Sequence, residues 1–268
     1  MPLIPVNGVR LHYLDDGDGE PVVMVMGTGG GARAWHLHQV PALTAAGYRT
    51  ITLDNRGIAP SDECAEGFGV DDLVGDVAAL IEALELGPCR LVGTSMGAYV
   101  VQELALARPD LVSRAVLMAT RGRGDEMRDA LARAEAELYD SGAALPPSYL
   151  AAVRAAQNLS PRTLDDPQAV RDWLDVFEAT PPAGPGVRAQ LGLEPIPDRL
   201  AAYRAIAVPC HVIAFADDLL TPPHLGRELA ATIPGATFEL IGGCGHYGYL
   251  EDPEAVNKSV IEFLRAPV

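Results

Sequence analysis

The 268-residue chain predicts an α/β domain, a mostly parallel eight-stranded sheet flanked by helices on both faces. Three observations carry that prediction. Short apolar runs alternate with stretches whose apolar residues recur at helical spacing. One run, PVVMVM at Pro21–Met26, is continuously apolar, as a strand buried on both faces must be. The alternation stops after Thr120 and resumes at Cys210, so a single sheet is interrupted by one helical insertion.

Each element has its own local reason. Leu3 to Val6 and Val9 to Tyr13 alternate around Asn7-Gly8, a two-residue hairpin signal. After the Pro21–Met26 strand comes Gly27-Thr28-Gly29-Gly30-Gly31, then an expected helix from Trp35 to Ala46 and a strand from Arg49 to Leu53. Leu73, Val77, Leu80, Ile81 and Leu84 share one face of a helix over Val70–Leu84. The strand before Gly93 is followed by a helix to Arg108 and a strand at Ala115–Met118. From Arg121 to Ala205 the pattern is helical only, with helices expected at Asp125–Tyr139, Ser148–Gln157 and Gln168–Phe177. Strands at Cys210–Ala216 and Thr237–Ile241, with helices at His224–Thr232 and Pro253–Arg265, close the fold. The core is thus expected at 1–120 and 206–268, and an inserted helical cap at 121–205.

Composition narrows the function classes. With 36 acidic against 20 basic residues, the net charge of −16 argues against nucleic acid and anionic membranes as partners. No run reaches the roughly 20 apolar residues of a membrane span, and no basic, apolar leader opens the chain, so a cytoplasmic protein is expected. Cys64, Cys89, Cys210 and Cys244 show no metal-ligand spacing, and neither a metal nor an organic cofactor is expected. Cys244 stands two residues before His246, which leaves a catalytic thiol as a minor reading. Oligomeric state is not legible, and a homo-oligomer is compatible with the chain.

The chemistry centres on Gly93-Thr94-Ser95-Met96-Gly97, set between a strand and a helix. Such a turn holds a serine in a strained conformation, so its neighbours two residues away must lack bulk. A serine nucleophile needs a base, and the base needs an orienting acid. His246, after the last strand, is the expected base. Asp218 is favoured over Asp217 as the acid, because it lies four residues before Pro222, where the turn should aim a carboxylate inward. Two backbone donors should stabilise the oxyanion: Met96 N–H, and Thr28 N–H from the glycine-rich loop, with Gly29 as the alternative. That loop lacks the Gly-Lys-Ser/Thr of a phosphate cradle.

With these residues in view, the chain resembles the α/β-hydrolase superfamily along its whole length. It is most similar to the cofactor-free, non-haem bromoperoxidases and chloroperoxidases of actinobacteria. The similarity rests on GTSMG, FADDLLTPP and GGCGHYGYLEDPEAVN, and on DNRGIAPSD, AVLMATRGR and AEAELYDSG. It implies Ser95 as nucleophile, Asp218 as acid, His246 as base, and the Thr28 and Met96 amides as oxyanion hole. Two positions depart from the family pattern. Met26 replaces the usual histidine before Gly27, so the hydrogen bonds supporting that loop must differ. Ala59 replaces the second glycine of the R-G-x-G-x-S loop.

The expected reaction is hydrolysis of an ester or thioester through an acyl-serine, with peroxide substituting for water as a side activity. Elimination, cyclisation or carbon–carbon bond formation on a secondary metabolite would leave the same marks, and so would a ligand-binding receptor with little turnover. Met26, Trp35, Tyr139, Trp173, Phe177, Leu219, Leu220 and Tyr247 are expected to line an apolar, partly aromatic pocket for a small acyl or aromatic substrate.

Overall fold

Asn7 and Gly8 have φ of 45° and 80°, the left-handed pair that a tight two-residue hairpin requires. They join β1 (Leu3–Val6) to β2 (Val9–Asp16), an antiparallel pair at one edge of the sheet. The computed structural model describes residues 2–180 and 183–266; Met1, Pro181, Pro182, Pro267 and Val268, which fall within the expected core and cap segments, lie outside the described residues.

Six more strands follow: β3 (Glu20–Val25), β4 (Tyr48–Leu53), β5 (Cys89–Thr94), β6 (Val112–Met118), β7 (Cys210–Phe215) and β8 (Thr237–Ile241). The eight-stranded sheet has the order β1-β2-β4-β3-β5-β6-β7-β8. Every pair from β4 to β8 is parallel, so the carboxyl ends of β5, β6 and β7 open onto one edge.

Helices cover both faces, as expected of a parallel sheet. They are α1 (Gln39–Ala45), α2 (Val70–Ala83) and α3 (Met96–Ala107), and, after the insertion, α10 (Pro223–Thr232), the short α11 (Gly248–Glu251) and α12 (Pro253–Arg265). Leu73, Val77, Leu80 and Ile81 of α2 are almost wholly buried in one face core, and Val256, Val260 and Leu264 of α12 in the other. Burying each such side chain is worth roughly 1.5–3 kcal/mol, which fixes α2 on the sheet in one rotation. The Asp72 carboxylate accepts the Gly69 N–H at 2.8 Å and closes the amino end of α2.

Between β6 and β7 lie α4 (Glu126–Asp140), α5 (Pro147–Asn158), α6 (Pro161–Leu164), α7 (Pro167–Ala179), α8 (Pro185–Leu191) and α9 (Leu200–Tyr203). Proline opens α5, α6, α7 and α8 at positions where its missing N–H costs no hydrogen bond. Ala151, Ala155, Leu159 and Phe177 give this segment a small apolar core of its own. No helix among the described residues is long and apolar enough to cross a membrane.

The expected helix from Trp35 to Ala46 is divided. A 3-10 turn spans Ala32–Leu37, His38 turns away at φ −143°, and α1 begins at Gln39. Pro41 is the reason: inside a continuous helix its ring would collide with the Leu37 carbonyl, whereas in the first turn of α1 it fits. Strand β6 begins at Val112, three residues before the expected Ala115, because Val112 already pairs with Cys89.

Candidate active site

Ser95 joins β5 to α3 at φ 53° and ψ −120°, a backbone conformation that costs a non-glycine residue roughly 1–3 kcal/mol. The strain is held by close packing on both sides. A Cβ on Gly93 would fall 2.5 Å from Gly97 O, and one on Gly97 would fall 2.2 Å from Val25 O. Ser95 N–H donates to Met118 O at 2.9 Å, tying the turn to β6. The side chain is half-buried, and Met96 N–H begins α3, where the helix supplies no acceptor for it.

Asp218 follows β7 and is 2% exposed. Its Oδ1 accepts the Leu220 and Thr221 N–H groups, each at 2.8 Å. Its Oδ2 accepts the Thr221 hydroxyl at 2.6 Å and pairs with His246 Nδ1 at 2.8 Å. Burial works to raise the Asp218 carboxyl, but the charge and hydrogen bond of His246, with the bonds from Thr221, outweigh it and hold it below its usual range. Asp217 is half-exposed and contributes a backbone N–H to Cys244 O at 2.9 Å, so geometry selects Asp218 as the partner of the imidazole.

The loop carrying His246 is held against the end of α5. A Cβ on Gly245 would lie 2.6 Å from Asn158 O, and Tyr247 N–H donates to that same carbonyl at 3.1 Å. Glu251 Oε2 accepts Gly245 N–H at 2.6 Å; Oε1 accepts Ser160 N–H, Ser160 hydroxyl and Thr163 hydroxyl at 2.8, 2.7 and 2.6 Å. Among the described residues no hydrogen bond joins Ser95 Oγ to the His246 ring; such contacts commonly tighten only when substrate is bound.

The glycine-rich loop lies against the serine: a Cβ on Gly27 would come 3.1 Å from Ser95 Cβ. Gly29 N–H is engaged by Gln190 Oε1 of α8 at 2.8 Å, whereas Thr28 N–H has no hydrogen-bond partner among the described residues. Gln190 Nε2 donates to Arg56 O at 3.0 Å, so one side chain clamps both loops. Gly57 and Gly186 meet backbone to backbone, since a Cβ on Gly186 would stand 2.1 Å from Gly57 O. Met26 O accepts Asn55 Nδ2 at 2.9 Å, and the Tyr249 hydroxyl donates to Met26 Sδ at 3.7 Å. Asn55, Gln190 and Tyr249 thus support the loop in which Met26 stands. Beneath it, the buried His12–Asp54 pair (2.6 Å) takes the Ala32 N–H at 2.7 Å.

The expected pocket residues divide. Trp173, Phe177 and Tyr247 come together, with ring centroids 5.3, 6.1 and 6.2 Å apart, and Tyr247 lies 6.2 Å from the His246 ring. Trp35 is corrected to a core residue: it is fully buried against Tyr249 at 5.1 Å on the α1–α12 face. Met26 is likewise buried, under Gly30. Leu219 is also corrected; it is 67% exposed, because Asp218 captures the next two amides and the turn faces Leu219 outward. Tyr139 stands apart from the aromatic group, half-exposed beside the Asp140–Arg188 pair, and Leu220 is half-buried. Cys244 is fully buried, and burial, then the charge of Glu251, push its thiol up to about 12, which closes the thiolate reading. Sequence reasoning gave no role to Gln190, Glu251 and Asn55: Asn55 and Glu251 stand within the stretches DNRGIAPSD and GGCGHYGYLEDPEAVN without being singled out, and Gln190 stands in no marked pattern.

The comparisons with known proteins bear on the family and the fold. The model of the alpha/beta hydrolase family matches residues 22–259. A Mycobacterium tuberculosis protein bearing the name non-heme bromoperoxidase BpoC is 53% identical over 256 residues, covering 95% of this chain and 97% of that protein. Its crystal structure superimposes with a TM-score of 0.92 over 95% of each chain. A 2-hydroxy-6-oxononadienedioate/2-hydroxy-6-oxononatrienedioate hydrolase of Burkholderia vietnamiensis is 32% identical, covering 96% of this chain and 91% of that one. The enol-lactonase structure from Burkholderia xenovorans gives a TM-score of 0.80 at 27% identity over 99% of this chain and all of that one (100%). By the family model and these relatives, the chain belongs to the alpha/beta hydrolase family, in its non-haem bromoperoxidase-like branch.

Proposed function

We propose that this chain is an enzyme that hydrolyses carboxylic esters or thioesters through an acyl-Ser95 intermediate. One observation carries the reading: a buried Asp218–His246 hydrogen bond of 2.8 Å on the same sheet edge as a serine at φ 53°. His246 takes the Ser95 hydroxyl proton as Oγ attacks the carbonyl carbon, and Asp218 holds the imidazole with Nδ1 protonated and stabilises the cation that forms. The Thr28 and Met96 amides receive the oxyanion, each such donor being worth about 3 kcal/mol in the transition state. The imidazolium then protonates the departing alkoxide or thiolate, and the acyl-serine remains.

Water completes the cycle by the same steps in reverse, with His246 as base, and releases the acid. Hydrogen peroxide in place of water releases a peracid, which can oxidise bromide with the peracid as oxidant; this is the side activity we assign. The helices α4–α9 act as the cap, and Trp173, Phe177 and Tyr247 as an apolar wall beside the base.

A fluorophosphonate probe tests the reading. Labelling of the native protein that disappears in Ser95→Ala is the expected result. Absence of labelling in folded protein would instead favour a ligand-binding receptor on the same fold. Bromide oxidation that requires an added carboxylic acid would identify the peracid route.

A further inference from the structure

Thr221 grips both oxygens of the carboxylate that bonds the imidazole. Its N–H donates to Asp218 Oδ1 at 2.8 Å, and its hydroxyl donates to Asp218 Oδ2 at 2.6 Å. An ionised carboxylate only accepts, so the hydroxyl proton lies on Oδ2, the same oxygen that takes His246 Nδ1 at 2.8 Å. Thr221 Oγ1 also stands 3.4 Å from that ring nitrogen, and the residue is 5% exposed. With Leu220 N–H on Oδ1, every lone-pair site of the carboxylate has a donor.

The local sequence stiffens this grip. Pro222 disfavours the helical region for the residue before it, which restricts the Thr221 backbone, and the β-branched side chain has few rotamers open to it. Buried imidazole–carboxylate pairs do not require such a hydroxyl. His12 and Asp54 form one at 2.6 Å, both residues buried, in which Asp54 takes the Ala32 N–H on its other oxygen. There the Ser61 hydroxyl goes to the Asp54 backbone carbonyl, and among the described residues no hydroxyl donates to the Asp54 carboxylate. The added donor distinguishes the pair at the serine edge.

Burial works to raise the Asp218 carboxyl; the charge and hydrogen bond of His246, then the Thr221 hydroxyl and amide, bring it below its usual range. Tyr247, its ring 6.2 Å from that of His246, and Arg121, which acts on Asp218 through charge, also face the pair. Asp217 and Cys244 flank it and join each other by a backbone bond. Among the described residues, none of these four donates to the carboxylate.

We propose that Thr221 is a positioning residue for the acyl transfer: its hydroxyl fixes the edge that Asp218 offers to His246 and takes up part of the charge on Oδ2. Held on both oxygens, the carboxylate cannot turn with the imidazole, so the ring keeps one orientation while the proton passes. With Oδ2 shared between two donors, the imidazolium is stabilised enough to form yet still gives its proton to the leaving group. The inference rests on the acyl-serine reading and adds to it the residue that sets the strength of its base.

Thr221→Val removes the hydroxyl at nearly the same shape and leaves the amide, whereas Thr221→Ser keeps both donors. Turnover of 4-nitrophenyl butyrate is followed against pH in each. In Thr221→Val, kcat is expected to fall about ten- to a hundredfold, the scale of one hydrogen bond to a charged group, with KM near the native value. Freed of its second donor, Oδ2 holds the imidazolium more firmly, so the acid limb of kcat/KM moves to higher pH. Thr221→Ser should restore most of kcat and the native limb. Native kcat or an unmoved acid limb in Thr221→Val, or a loss that Thr221→Ser shares in full, would overturn the assignment. Thr221→Ala gives the same comparison with serine if the valine variant does not fold. The proton between His246 and Asp218 provides a reading that needs no turnover. Its downfield NMR resonance is expected to move further downfield in Thr221→Val as the bond to Oδ2 tightens, and an unchanged position also overturns the role. Failure of the acyl-serine reading shows separately, as an absence of Ser95 labelling and of ester turnover in the native protein.

Discussion

Glu251 accepts the backbone N–H of Gly245 at 2.6 Å, one residue before His246, while its other oxygen gathers Ser160, from the link between α5 and α6, and Thr163 of α6. One carboxylate thus joins the loop of the base to the inserted helices. Glu251→Ala is expected to lower kcat by roughly ten- to a hundredfold, the scale of a misplaced catalytic group, with KM changed less. Glu251→Gln keeps an acceptor and should recover part of the loss. Steady-state kinetics of the two variants check this, and equal kcat in the alanine variant and the native protein would remove Glu251 as a positioning residue.

Of the two adjacent aspartates, Asp218 is the one that bonds the imidazole, at 2.8 Å. Asp218→Asn should reduce kcat by about 10⁴, because the amide favours the wrong imidazole tautomer, while Asp217→Asn should leave it nearly unchanged. A larger loss for Asp217→Asn would exchange the two assignments.

The acid response of stability follows from the same carboxyl. Its folded value lies below the ordinary one, so its contribution is present in full above the unfolded value and is lost as pH falls through the folded value. The difference in thermal midpoint between native protein and Asp218→Asn should stay level from neutrality down to about pH 4 and narrow only below it. Narrowing that begins well above that point would contradict a depressed Asp218.

Gln190 bridges Gly29 N–H and Arg56 O, at 2.8 and 3.0 Å. Gln190→Leu removes both bonds at similar volume; it strands the buried Arg56 carbonyl, at roughly 1–3 kcal/mol, and leaves the exposed Gly29 N–H to solvent. A lowered melting temperature is expected together with a fall in kcat for all esters, since the loop bearing Thr28 loses its clamp. A variant that melts earlier but retains native kcat would limit Gln190 to a structural role.

The relation between sequence and site can be read from individual residues. Gly93, Ser95 and Gly97 declare themselves because strain at one residue demands small neighbours at set intervals, and all three lie on one short stretch. His246 and Asp218 were legible as candidates because the parallel strands β3 to β8 all end at one edge of the sheet. Trp35 was misread because an aromatic side chain looks the same in sequence whether it lines a cavity or fills a core; only its contact with Tyr249 decides.

What the chain alone determined is therefore the alternating α/β order, the strained turn and the candidate triad, since each rests on spacing along the polymer. The tertiary structure decided which loop holds which: Gln190 against Gly29 and Glu251 against Gly245. Those contacts join distant segments through single side chains, and no local period or propensity records a partner that folding alone brings within reach.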